Sequence, residues 1–285
     1  MRKYRKALPF RVKMLLVFLA AALAVGGTVL FLHAIGFRYT VCHRTDGTDV
    51  RFVGRINADG AQISGVVKFP DGTSATVDKK DGSFHYSNGS VYYGRLNSVF
   101  EREGTGKLIL ESGDVYEGNF EADRLSGKGK YTFANGDVYE GDFVSNVKSG
   151  QGKYVYADGE VYEGGFLGDT REGEGRMTKP DGSSYTGGYH LGLKTGTGKF
   201  VYANGDVYEG EFANDMRHGK GVYVWADGER YEGDFEFNNI NGYGTYEWTD
   251  GRASYTGWFK NGEIVIVDPS APAEKPAESG ETANE

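Results

Sequence analysis

The sequence predicts an all-β protein: an elongated, single-layer antiparallel β-hairpin solenoid of 23-residue repeats, preceded by one transmembrane helix. Three observations carry this reading. One nine-residue phrase keeps returning, as NGDVYEGDF (135–143), DGEVYEGGF (158–166), NGDVYEGEF (204–212) and DGERYEGDF (227–235). The composition sets 45 Gly, 20 Tyr and 17 Phe against only 6 Pro, which indicates tight turns between aromatic strands rather than a disordered chain. An uncharged apolar stretch, 14–32, follows a strongly basic start.

From the amino end, residues 1–13 hold Arg2, Lys3, Arg5, Lys6, Arg11 and Lys13 and read as a cytoplasmic segment. Residues 14–37 read as a transmembrane helix acting as a signal anchor. At ~1.5 Å rise, the uncharged run 14–32 spans roughly 28 Å, about a bilayer core. Ala22-Leu23-Ala24 resembles a signal-peptide cleavage site, so a removed leader is the rival reading. The apolar run continues past it, which favours a retained anchor. Either way the remainder is expected outside the cytoplasm, on a single-pass protein of the cell membrane. The lone Cys42 excludes an intrachain disulfide framework and a Cys-based zinc site. An intermolecular disulfide or acylation is conceivable for it; an ordinary thiol is the plainer reading.

Aligned on the Tyr of YEG, units start at Tyr92, Tyr116, Tyr139, Tyr162, Tyr185, Tyr208, Tyr231 and Tyr255, 23 or 24 residues apart. A period of that size means a solenoid. Residues 92–267 form this array, and 38–91 read as degenerate amino-terminal capping repeats, a worn unit from Phe52 and a shortened one before Tyr92. Within a unit, alternation puts Tyr116, Gly118 and Phe120 on one face, and Tyr131 and Phe133 on one face of the next strand. The Asn/Asp-Gly pairs ending at Gly136, Gly159, Gly182, Gly205, Gly228 and Gly251 predict two-residue hairpin turns with both central residues at positive φ. Mid-strand glycines such as Gly118 and Gly141 leave room for a neighbour's ring. A lone hairpin cannot bury its aromatic face, so each unit must roof the one before. At ~4.8 Å per strand, eight units predict a rod of about 80 Å. Residues 268–285 read as a disordered acidic tail.

The stretch YEGEFANDMRHGKGVYVWADG (208–228) closely resembles the MORN repeat, whose pattern is roughly YxGxF, a short loop, GxG, an aromatic strand and an Asp/Asn-Gly turn. The resemblance is strong over about 92–262 and weak over 48–91. It implies an elongated antiparallel hairpin sheet, membrane proximity, phospholipid or protein binding, and homotypic assembly.

Catalytic and cofactor chemistry finds no purchase. His33, His43, His85, His190 and His218 are scattered without ligand spacing, and GLKTGTGKF (192–200) lacks both the glycine spacing and the Ser/Thr of a phosphate loop. The expectation is a non-enzyme with no cofactor and no metal. The turn pairs Asn135/Asp137, Asp158/Glu160, Asn204/Asp206 and Asp227/Glu229 could align oxygens for Ca²⁺, but hairpin chemistry explains them more simply. Lys130, Lys153, Arg176 and Lys199 have the parity of Glu117, Glu140, Glu163 and Glu209, which predicts cross-strand charge pairing. A second basic column, Lys148, Arg171, Lys194 and Arg217, falls in the hairpin loops and is open to two readings, partner or lipid contact and edge protection. The unit around 179–190 departs from the pattern. Lys179-Pro180 replaces an aromatic-Ala pair, and the YEGxF strand becomes Tyr185-Thr186-Gly187-Gly188-Tyr189 followed by His190, so Lys179 and His190 are further candidate contacts.

Charge weighs against lipid. Against a total of −8, seven bases in 1–38 and a net −4 in the tail leave −11 on residues 39–267. An acidic array is repelled by anionic membranes except through a local basic stripe, and it is a poor nucleic-acid binder. The sequence therefore reads as a membrane-anchored scaffold for protein partners or self-association. Phospholipid binding through the basic loop column, and cell-wall or polysaccharide binding through exposed rings, are the alternatives.

Overall fold

The computed structural model describes residues 37–56, 62–78 and 80–266. The basic segment, the apolar segment up to residue 36 and the acidic tail lie outside the described residues. Among those described, no helix is long and apolar enough to cross a membrane. Phe37, expected at the end of the membrane helix, instead opens a strand.

Two compact units divide the chain, 1–125 and 126–285. In the first, β1 (Phe37–His43), β2 (Asp49–Ile56), β3 (Gln62–Lys68), β4 (Ser74–Val77), β5 (Phe84–Tyr86), β6 (Val91–Leu96), β7 (Arg102–Ile109) and β8 (Val115–Glu121) pair in sequence, all antiparallel. The second holds all but the first two residues of β9 (Arg124–Thr132), then β10 (Val138–Val144), β11 (Val147–Val155), β12 (Val161–Leu167), β13 (Thr170–Thr178), β14 (Ser184–His190) and β15 (Leu193–Val201). It continues with β16 (Val207–Ala213), β17 (Met216–Val224), β18 (Arg230–Glu236), β19 (Asn239–Glu247), β20 (Tyr255–Lys260) and β21 (Glu263–Val265), again each antiparallel to the next.

The YxG tyrosine explains the repeat. Tyr139, Tyr162, Tyr185, Tyr208 and Tyr231 are fully buried. Each ring folds back over two glycines that face one another across the hairpin, as Gly141 and Gly152 do beneath Tyr139. A methyl on Gly152 would lie 2.5 Å from the Tyr139 ring. The space is thus kept for the strand's own tyrosine rather than a neighbour's. Just past the glycine pair, β10 and β11 slip register, so that Asp142 alone faces three residues, with Gly150 left-handed at φ +72°. The Tyr139 hydroxyl donates to the Asp142 carbonyl at 3.0 Å, which satisfies a polar group otherwise stranded in the core. In the first unit Phe52 sits over Gly54 and Gly65 in the same manner, without a hydroxyl.

Stacking follows from the last aromatic of the phrase. Phe166 stands edge-on to Tyr162 of its own hairpin (5.2 Å) and to Tyr139 of the preceding one (5.1 Å). The pattern runs on through Tyr189, Phe212, Phe235 and Phe259. Each contact adds about 0.5–1.5 kcal/mol beyond the area it buries. One hairpin does roof the last.

The turns reverse the expectation. At Ala134-Asn135-Gly136 only the glycine is left-handed, at φ +96°, and its N–H donates to the Phe133 carbonyl at 3.0 Å. This is a three-residue connection, a type I turn closed by a bulge glycine. The two-residue turns with both residues left-handed lie at the opposite end of each hairpin, at Ser145-Asn146, Gly168-Asp169, Leu191-Gly192, Asn214-Asp215 and Phe237-Asn238. Bulky residues tolerate this because the preceding hairpin holds the turn. The Asp169 N–H donates to the Lys148 carbonyl at 3.1 Å, while Asp169 Oδ1 accepts from the Lys148 N–H at 2.9 Å.

Candidate functional site

One face of the second unit is aromatic, and its edge is partly open. Beside the buried tyrosine column runs a half-buried ladder from the second strand of each hairpin. Tyr131, Phe133, Tyr154 and Tyr156 succeed one another at ring spacings of 4.4, 5.9 and 4.4 Å. After a gap, Phe200, Tyr202, Tyr223, Trp225, Tyr246 and Trp248 continue it, at 4.4–5.7 Å. The gap is the expected irregular unit, with Met177 and Lys179 in the ring positions.

Acids in the three-residue turns pin this ladder. Asp137 Oδ2 accepts from the Tyr154 hydroxyl at 2.7 Å, Asp206 Oδ2 from Tyr223 at 2.6 Å, and Glu229 from Tyr246. Each acid stands 17 residues before its tyrosine. Where that partner is Phe200, which has no hydroxyl, the turn residue is Ser183, and its own hydroxyl turns to Asp181. Where it is Met177, the turn residue Glu160 takes the Lys179 ammonium instead, at 2.9 Å. Lys179 therefore takes the place of a tyrosine hydroxyl on this acid. The Tyr223 hydroxyl holds the Asp206 carboxyl below the usual range, and the same cause acts from Tyr154 on Asp137. Burial pushes the tyrosines the other way, Tyr139 and Tyr162 to about 12. With their oxygens so committed, these turns are hairpin chemistry. Among the described residues, no group of three or more His, Cys, Asp or Glu is placed to hold a metal.

The structure brings four of the six candidate contacts together, but not as exposed loop residues. Lys148, Arg171, Lys194 and Arg217 lie on strands β11, β13, β15 and β17, on the aromatic face. Lys148 Nζ sits 5.4–5.8 Å from the Phe133, Tyr139 and Tyr154 rings and 3.4 Å from Asp169. The Arg217 guanidinium is 5.0–6.0 Å from Tyr202, Tyr208, Tyr223 and Phe235 and donates to the Asn238 carbonyl. Arg171 and Lys194 are held likewise, by the Gly192 carbonyl at 2.7 Å and by Asp215 at 3.1 Å. These cations staple successive hairpins. His190 lies apart, exposed at a hairpin tip, 3.0 Å from Glu172.

On the opposite face two of the charge pairs expected from parity form. Lys153 meets Glu163 at 2.8 Å and Lys199 meets Glu209 at 3.4 Å. Sequence reasoning missed the acid–tyrosine clamp, whose signal was the constant 17-residue separation. It also missed Val144, Leu167, Leu191 and Phe237, which stand exposed at four of the hairpin tips.

Six consecutive MORN repeats match residues 116–138, 139–161, 162–184, 185–207, 208–230 and 231–251. Residues 116–251 are thus similar to a run of MORN repeats. Such repeats are a scaffold type for protein and membrane interaction. No curated protein matches the chain. Among solved structures, the SAS-4 (dCPAP) TCP domain of Drosophila melanogaster, solved with a proline-rich motif of Ana2 (dSTIL), is 18% identical. The match covers 57% of this chain and 92% of that chain at a TM-score of 0.35. The TCP10 domain of Danio rerio CPAP is 15% identical, over 68% of this chain and 94% of that chain, also at 0.35. A likeness at that score carries no argument about this chain's partner.

Proposed function

We propose that this MORN-repeat chain is a non-enzymatic scaffold, anchored in the membrane by residues 14–36, that binds protein partners or a second copy of itself on the extracytoplasmic side. The observation that carries the binding reading is the half-buried ladder of Tyr156, Tyr202, Trp225 and Trp248. The pinned hydroxyls of the neighbouring Tyr154, Tyr223 and Tyr246 leave the ladder in a fixed array, with apolar surface still open to a partner. The anchor rests on the length and lack of charge of the apolar segment, and its orientation on the basic cluster before it. Phospholipid recognition through Lys148, Arg171, Lys194 and Arg217 is the weaker reading, because those cations already face rings and neighbouring turns. Polysaccharide binding has only Trp225, Trp248 and Trp258 to draw on.

A photo-reactive side chain placed at Tyr156 or Trp225 of the full chain in its native membrane tests this, with Lys153 on the opposite face as control. Polypeptide adducts from the ladder positions and not from the control support the scaffold reading. Lipid or glycan adducts alone, or adducts equal on both faces, overturn it.

A further inference from the structure

The first strand of the first unit is built to be completed. Among the described residues, β1 pairs only with β2. Arg44 N–H donates to the Thr48 carbonyl at 2.8 Å, and the register sets Cys42 against Val50 and Thr40 against Phe52. Backbone groups alternate in direction along an antiparallel ladder, so those of residues 44, 42 and 40 point to β2. Those of Phe37, Tyr39, Val41 and His43 point outward. Over seven residues this edge carries no Pro and no bulge, two of the devices that normally blunt an edge strand, and Arg38 is its one Lys or Arg. Tyr39 is 67% exposed and Val41 46%. With Val53 across from Tyr39 they form an apolar strip beside a cleft walled by Arg51, Lys68, Phe69 and Pro70. The last strand of the second unit contrasts: β21 is three residues long and starts with Glu263.

We infer that β1 is a self-association edge, on which two copies of the chain pair their β1 strands antiparallel about a two-fold axis at Thr40. The inference rests on the self-association half of the proposed function and gives it a surface distinct from the aromatic ladder. The occupant is a second copy because the strand is complementary to itself. Only the register centred on Thr40 overlaps all seven residues. It sets Tyr39 against Val41 of the other copy in both directions, an aromatic on a β-branched side chain. It also places the outward N–H and C=O groups of Tyr39 opposite those of Val41, so they form the bonded pairs. Arg38 then faces Cys42 of the other copy rather than a second Arg38, and no like charges meet. Thr40 faces itself in a non-bonded pair, where Cα atoms stand about 4.5 Å apart, within disulfide range.

The test uses the full chain in membranes, with one cysteine at a time and mild oxidation. A Thr40→Cys, Cys42→Ser variant is expected to give a covalent dimer, and the wild-type chain, whose Cys42 faces Arg38, little or none. Val41→Pro added to the first variant is expected to abolish the dimer without lowering the thermal unfolding midpoint, since the Val41 N–H makes no bond to β2. Val41→Lys serves the same purpose should the proline disturb folding. No dimer from Thr40→Cys, an equal dimer from native Cys42, or a dimer indifferent to both Val41 changes would each overturn the inference. Ladder cross-linking is read separately, so a failure there leaves this result standing and the reverse also holds.

Discussion

Gly198→Ala should destabilise the array through one identifiable clash, and the cost should vanish when the clashing ring is removed. A methyl at this position would lie 2.5 Å from the Tyr185 hydroxyl oxygen, 2.6 Å from Cε2 and 2.7 Å from Cζ. The ring has nowhere to slide. Tyr189 and Phe212 stand edge-on to it at 5.3 and 5.0 Å, and its hydroxyl is tied to the Gly188 carbonyl at 3.1 Å. Overpacking costs about 1–3 kcal/mol. Loss of the hydroxyl bond adds about 0.5–1.5 kcal/mol. Together they should lower the thermal midpoint of the full chain by roughly 5–10 °C, read from near-UV circular dichroism of the aromatic residues. Gly196, two residues earlier, is the control. A methyl there meets nothing within 4 Å, but the backbone is left-handed at φ +65°. Gly196→Ala should cost about 1–2 kcal/mol, and Gly196→Asn less. Tyr185→Leu removes the phenol and with it the obstruction. The cycle Gly198→Ala with Tyr185→Leu should show a favourable coupling of at least about 1 kcal/mol, and Gly196→Ala with Tyr185→Leu none beyond about 0.5 kcal/mol. Additivity in both cycles would refute the ring-over-glycine account of the repeat.

The acid–tyrosine clamp should be transplantable. Phe200→Tyr alone strands a hydroxyl, whereas Phe200→Tyr with Ser183→Asp should recover about 1.5–3 kcal/mol relative to the sum of the single changes, measured by thermal unfolding. Stability should also follow pH at both ends. Asp137 and Asp206 have carboxyls held below their ordinary value by tyrosine hydroxyls. Their contribution is present above about pH 4 and lost as pH falls through the lowered values, so Tyr223→Phe should flatten the acid limb of the stability curve. Tyr139, Tyr162 and Tyr231 are raised to about 12 by burial, so their contribution is complete below about pH 10 and lost as pH climbs towards 12. Phenolate absorbance should accordingly appear late and together with unfolding; early titration of these tyrosines in the folded chain would contradict their burial.

Much of the fold was legible because the repeat writes its constraints many times over. The alternation of Tyr116, Gly118 and Phe120, the 23-residue period and the charge pairs Lys153–Glu163 and Lys199–Glu209 follow from the two-residue strand period. The turns were legible only as positions. Asn-Gly is the expected signature of a two-residue turn, yet at Asn135-Gly136 an extra residue lengthens the loop. The true two-residue turns, including Leu191-Gly192 and Phe237-Asn238, carry no such mark because the preceding hairpin holds them from outside. The candidate site suffered the same way. Spacing showed that Lys148, Arg171, Lys194 and Arg217 form a column, and a column of cations in apparent loops reads as an exposed stripe. Nothing in the spacing shows that rings on one side and the turn of the next hairpin on the other close around each cation.

The sequence alone determined the strand period, the repeat length, the aromatic and charged faces, and the place of the irregular unit at Lys179. All are properties of one hairpin, set by local geometry and copied along the chain. Tertiary structure alone decided what meets across hairpins: Asp206 on Tyr223, Asp169 on Lys148, Arg217 among four rings, and the outward edge of β1. Those contacts depend on register between units, and a slip of one residue sends a side chain to the other face. Only the stacked sheet fixes which side chains become staples and which are left for a partner.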